Sequence, residues 1–166
     1  MKMKAEKKLT TTAGAPVGGL AQKRTEYITR DEVKRVCKEM GLKDWSALKE
    51  AAVTGSEAAK ILKAVNVKSM PVLVKVFRHG LEVELEHGTK YDDANVTNNH
   101  PLLTGKIVLA HLKETMDYYE RLEVAEIESD LLKAILSQDL KKIGAKYREL
   151  ISAQNLLNKA ISAQFK

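Results

Sequence analysis

Apolar positions along the chain fall into a helical rhythm only after about residue 28. Thr29 and Glu32 form a capping-box pair ahead of Val33, Val36, Cys37 and Met40, which recur at helical spacing until Gly41 supplies a stop. Cys37 falls on that apolar side with no cation or histidine beside it in sequence, so it reads as a buried structural thiol. Asp44 or Ser46 offers a cap for a short packing helix carrying Trp45, Leu48 and Ala52. Ser56 does the same for a second with Ala59, Ile61, Leu62 and Val65, the two being separated by Thr54 and Gly55. Pro71 stands where a first-turn proline is tolerated, and the run 72–87 places Leu73, Val76 or Phe77, Gly80 or Leu81, and Leu85 on one side. Helix is expected there, with strand as the competing reading, because Val72, Val74 and Val76 also alternate.

Segment 88–101 is rich in Asp and Asn and reads as an irregular loop, either held by its own side chains or functional. Asn95-Val96-Thr97 matches a glycosylation acceptor but carries no weight without a secretory signal. A long amphipathic helix is expected over 102–126, with Leu103, Ile107, Leu109, Ala110, His111, Leu112 and Met116 on a broad face. A last helical region over 127–164 repeats Leu131, Leu132, Ile135, Leu136, Leu140, Ile143, Tyr147, Leu150, Ile151, Leu157 and Ile161. It is expected to break near 137–139, where Ser or Asp can cap. Its apolar stripe fits either self-association or packing on its own domain. The predicted fold is all-α: a basic extended arm over 1–27, a small irregular helical domain over 28–126, and a C-terminal helical extension over 127–166.

Composition narrows the function classes. The 166 residues are 44% hydrophobic and 30% charged, which excludes a wholly disordered chain. The uncharged stretch 9–22 is too short and polar to cross a bilayer, so neither membrane insertion nor classical secretion is expected. One cysteine cannot make an internal disulfide, which fits assembly in a cytoplasm. The net charge of +6 is concentrated at the ends. Lys2, Lys4, Lys7, Lys8, Lys23 and Arg24 face only Glu6 in the arm, and Lys141, Lys142, Lys146, Arg148, Lys159 and Lys166 outnumber Asp139 and Glu149 at the other end. Such ends suit an acidic protein surface, nucleic-acid phosphates or plain solvation. Nucleic acid is not favoured, because the basic segments lack interleaved aromatics, a zinc pattern and a base-reading helix. The six arm cations are therefore the candidate partner-binding residues.

One constellation carries candidate chemistry. Glu84 and His87 stand three apart on one predicted helix, and His111 and Glu114 three apart on the next. Paired Glu and His on facing helices are half the ligand set of carboxylate-bridged di-iron bundles, with Glu82 and Glu86 adding oxygen nearby. The competing reading is a buried His hydrogen-bonded to a neighbouring Glu, since the complete four-helix ligand set is missing. Thr104-Gly105-Lys106 lacks the upstream glycine of a phosphate loop, and Tyr118 and Tyr119 read as packing or interface residues. Neither a catalytic set nor a cofactor is expected.

Residues 80–123 resemble a family of small domains of unassigned function found in bacteria and tailed phages. The shared features are the ELEHG turn (Glu84 to Gly88), the NVT (Asn95 to Thr97), the PLLTGKI (Pro101 to Ile107), the AHLKE (Ala110 to Glu114) and the DYYERL (Asp117 to Leu122). Two departures stand out. The family commonly has two acids where this chain has Asn99 and His100, and Phe-Pro where it has Thr115 and Met116. The resemblance, with the basic arm and the C-terminal extension, implies a non-enzymatic virion component assembled in the host cytoplasm, a capsid decoration or minor head protein whose partners are other virion or capsid proteins. A metal-binding protein or metal-dependent enzyme using Glu84, His87, His111 and Glu114 is the alternative.

Overall fold

Each helix starts where a side chain can satisfy the first free backbone N–H groups. α1, Arg30–Met40, is capped by the Thr29 hydroxyl, which accepts from the Glu32 N–H at 3.2 Å, and ends on Gly41 at φ 62°. The computed structural model describes residues 28–91 and 94–165, so the arm with Lys2, Lys4, Lys7, Lys8, Lys23 and Arg24 lies outside the described residues. A single 3-10 turn, Trp45–Ala47, follows, capped by Asp44. α2, Gly55–Val65, opens on a complete capping box between Thr54 and Glu57. α3, Val74–Lys90, α4, Pro101–Glu114, α5, Tyr118–Leu136, and α6, Leu140–Ala163, complete an all-α architecture with no strand among the described residues.

The structure corrects several boundaries. The expected helix around Trp45, Leu48 and Ala52 is only the one turn. Beyond it the chain is extended, and the Val53 N–H donates across to Glu82 on α3 at 3.1 Å. α2 is capped by Thr54 rather than Ser56 and buries Ala58 rather than Ala59. α3 starts at Val74, not at Pro71, because Asn66 clamps both backbone groups of Met70, at 2.8 and 2.9 Å, and holds the lead-in extended. The single helix expected over 102–126 is two, parted by Thr115 in an extended conformation. The 126/127 division therefore falls inside α5. The break near 137–139 is present, with Gln138 at φ 55°.

The core lies where α1, α2, α3, α4 and the start of α5 converge. Trp45, Ile61, Phe77, Leu81, Leu85, Leu112 and Tyr119 are its largest fully buried side chains. α3 and α4 meet closely because Gly80 has no side chain. A Cβ there would lie 2.6 Å from the Tyr119 ring and 2.7 Å from Val108. Gly80→Ala is expected to lower stability by about 1–3 kcal/mol through overpacking, although alanine favours helix by about 1 kcal/mol. Gly55→Ala, which meets nothing within 4 Å, should shift the urea midpoint the opposite way.

α5 and α6 form an antiparallel hairpin, and α6 contributes no residue to the core cluster. Their seam keeps a heptad spacing: Val124, Ile127, Leu131 and Ala134 on α5, and Ile143, Lys146, Leu150, Ala153, Leu157 and Ala160 on α6. The expected C-terminal helical extension is thus a helix paired with the second half of α5.

Candidate functional site

Glu84 of α3 is the point where three helices meet. The Tyr119 hydroxyl of α5 donates to Glu84 Oε1 at 3.0 Å, and His111 Nε2 of α4 stands 3.4 Å from the same oxygen. Tyr118 stacks on the His111 imidazole at 4.1 Å, nearly parallel, and Tyr119 meets both rings edge-on. Burial, and then the neighbouring Glu84 carboxylate, raise the Tyr119 phenol above its ordinary value, so it remains a donor. His111 Nδ1 is buried without a hydrogen-bond partner, its nearest acid being Glu114 at 3.9 Å. Asp117, at the entry to α5, is also buried. Burial raises its carboxyl, but hydrogen bonds from Arg121 at 2.9 Å and from the Thr115 hydroxyl more than offset this and hold it low. These contacts fix the turn into α5, and the Tyr119 bond to Glu84 docks its first turn on the body.

The four residues considered for metal binding do not form one centre. Glu84 and His111 come together and Glu114 stands beside them, but His87 is exposed and its imidazole makes no hydrogen bond or ion pair among the described residues. Glu82 accepts the Val53 N–H and Glu86 pairs with Lys90, so neither adds a ligand. Among the described residues, no group of three or more His, Cys, Asp or Glu is arranged to hold a metal ion. The competing reading, a histidine tied to a neighbouring glutamate, describes the geometry, with Tyr119 as the partner that sequence reasoning missed. The one sequence signal was a glycine inside a helix, Gly80, which marks a close approach without saying to what. Cys37 is buried, and burial raises its thiol, as expected of a structural cysteine.

The Asn-rich loop before α4 is held by its own side chains. Asn95 Nδ2 donates to the Gly88 carbonyl and to Asn99 Oδ1, both at 3.1 Å, and Asn98 donates to the Ile28 carbonyl at 2.6 Å. Asn98 and Asn99 both take positive φ, which asparagine tolerates better than most residues. Gly88 is required beneath them, since a Cβ there would lie 2.0 Å from Asn99 Oδ1. Beside the loop is an open depression of about 160 Å³, lined in part by Glu84, His87 and Thr104.

His100 closes this loop and caps α4. Its Nδ1 accepts from the Leu102 and Leu103 N–H groups at 3.2 and 3.4 Å, a task only the neutral imidazole can perform. Burial holds its pKa below the ordinary 6.5, against the pull of Glu32 and with the help of Arg35 and Lys106. The unfolded chain therefore takes up this proton first. The stability from the cap is present above about pH 6.5 and is lost as pH falls through the folded value. Urea titrations are expected to lose about 1 kcal/mol between neutral and mildly acid pH through this residue, and His100→Asp should flatten that step.

A family profile described as a protein of unknown function matches residues 33–128. No curated protein and no solved structure matches the chain.

Proposed function

Since the chain belongs to the DUF5661 family, whose match ends at residue 128 within α5, we propose that it is a structural assembly protein built by extending that module into an interaction hairpin. Its concrete form is a tailed-phage virion component, a capsid-associated decoration or minor head protein. The helical body carries the hairpin, and the basic segment with Lys2, Lys4, Lys7, Lys8, Lys23 and Arg24 serves as its tether.

The observation that carries this reading is the outer surface of the hairpin. Leu132, Ile135, Leu136, Leu140, Tyr147 and Ile151 are all exposed, and all lie beyond the matched residues. Scattered exposed apolar residues are ordinary, whereas a cluster on one projecting element marks an interaction surface. The basic arm suits an acidic protein surface, and the phage resemblance of residues 80–123 supplies the particle. Co-expression with the shell protein of the same genome, followed by particle purification and peptide mass spectrometry, is expected to find the chain at stoichiometric level. Its absence from intact particles would overturn the reading, and a variant lacking residues 1–24 is expected to be lost from them.

A further inference from the structure

We propose that one flank of the α5–α6 hairpin docks a second copy of this chain, the two hairpins meeting about a two-fold axis parallel to their length to form a four-helix bundle. This pairing rests on the assembly reading and names the partner of its hairpin.

The two flanks of the hairpin differ in chemistry. Lettering the seam positions a and d, the e positions of two antiparallel helices share one flank and the g positions the other. The g flank is closed by charge. Lys146 reaches across from the seam to Asp130 at 3.4 Å and binds Glu149 at 2.8 Å, with Glu123 and Glu126 alongside. The e flank is apolar. Ile135 with Leu132 on α5, and Leu140, Tyr147 and Ile151 on α6, form a continuous stripe across both helices toward the tip, with Leu136 at its edge. Leu140 is 83% exposed and Leu136 75%, and the others are about half exposed.

The extent of the stripe fits a dimer. These six residues expose on the order of 700 Å² per copy, above the roughly 300–600 Å² of the largest patch on a typical monomer. A standard interface takes about 800 Å² from each partner. Residues 1–27 are poorly suited to cover it, because Met1, Met3, Leu9, Val17, Leu20 and Tyr27 are their only large apolar side chains.

Charge selects the arrangement. α5 is acidic, with Glu120, Glu123, Glu126, Glu128 and Asp130 against Arg121 and Lys133. α6 is basic, with Lys141, Lys142, Lys146, Arg148 and Lys159 against Glu149. An axis parallel to the hairpins lays α5 of one copy against α6 of the other, so opposite charges meet and neighbouring helices run antiparallel. The perpendicular axis would stack α6 on α6 and α5 on α5, like charge on like. In the parallel arrangement Glu128 of one copy reaches the height of Arg148 in the other, and neither residue has an ion-pair partner among the described residues of its own chain. The symmetry is closed and isologous, so assembly by this flank stops at two copies.

The test is light scattering after size exclusion on the full chain, on a form lacking residues 1–27, and on point variants whose helicity and melting are checked in parallel. The full chain is expected to be a dimer with a Kd of about 1 μM or tighter. Tyr147→Glu should weaken it at least about 30-fold, the size of a hot-spot loss, while Leu156→Glu on the charged flank leaves it intact. Glu128→Arg or Arg148→Glu alone should weaken it about threefold to tenfold, and the double exchange should recover most of the loss. A monomeric full chain, a Tyr147→Glu variant that stays dimeric, a dimer broken by Leu156→Glu, or single charge reversals that the exchange does not rescue would each overturn the pairing. So would a full chain that dimerises only without residues 1–27. A monomer that still enters particles would leave the assembly reading standing, and a dimer absent from particles would do the reverse.

Discussion

Glu57→Ala is expected to destabilise the protein by about 3–5 kcal/mol, far more than loss of a helix cap alone. The Glu57 carboxylate is only 6% exposed, yet both its oxygens are satisfied. Oε1 accepts from the Trp45 indole N–H and the Lys43 N–H, each at 3.3 Å, and Oε2 accepts from the Thr54 N–H at 3.0 Å and the Thr54 hydroxyl at 2.9 Å. One side chain thus joins the first turn of α2 to the loop that seats the only tryptophan. Removing it leaves the indole and the two backbone donors without acceptors in a buried site, so their desolvation is no longer offset. Glu57→Gln keeps the shape but turns one donor group toward donors, and should lose about 2 kcal/mol. Burial raises the Glu57 carboxyl, while the Thr54 and Trp45 hydrogen bonds and Lys43 more than offset it and hold it below the ordinary value. Its stabilisation is present above the unfolded carboxylate range near pH 4 and is lost as pH falls through the lower folded value. Urea denaturation at neutral pH gives the size of the loss. A Glu57→Ala loss under about 1 kcal/mol would show that water replaces the carboxylate.

Phe77→Ala is expected to remove about 3–5 kcal/mol by a different route, the loss of buried area and the cavity left behind. The ring is wholly buried on α3, and its outer edge abuts Gly105 of α4, where an added Cβ would lie 3.2 Å away. Close-packed helices at such a crossing cannot collapse inward to fill the space. Phe77→Leu should lose only about 1–1.5 kcal/mol, because it retains most of the volume. Followed by the fluorescence of Trp45, which reports on the body core alone, the two variants should unfold in one transition with an unchanged denaturant slope. A broadened transition would mean that α3 and α4 had separated before the rest of the core.

Local chemistry made the first and last helices legible. Thr29 with Gly41 bounded α1, and Asp139 accepts the Lys142 N–H at 3.0 Å at the start of α6, as a capping residue should. The helix expected after Pro71 is present as α3, and the alternating valines 72, 74 and 76 offered strand as a competitor only because three residues are too few to separate periods of 2 and 3.6. The break between α4 and α5 left no such mark. The apolar spacing runs on through Leu112, Met116 and Tyr119, and Thr115 and Met116 include no proline or glycine that would have announced it. What bends the chain is Asp117, bound locally by Thr115 and Arg121, together with Tyr119, drawn across to Glu84 on α3. The Glu–His pairing was legible in part, since spacing put Glu84 and His111 on successive helices that could face one another, but it could neither bring them together nor turn His87 outward. A histidine as the α4 cap also has a physical account. A neutral imidazole accepts the same N–H groups that a carboxylate would, without adding a second negative charge near Glu32.

Because α6 is absent from the core, it can detach without the body unfolding, at the expense of one interface and the seam residues within it. Its amide hydrogens would then exchange through a local opening, on a scale set by the α5 seam, while those of α3 and α4 wait for global unfolding. The hairpin thus adds a second, weaker cooperative unit to the matched module, and a second copy on its apolar flank, as proposed above, would narrow the gap between the two.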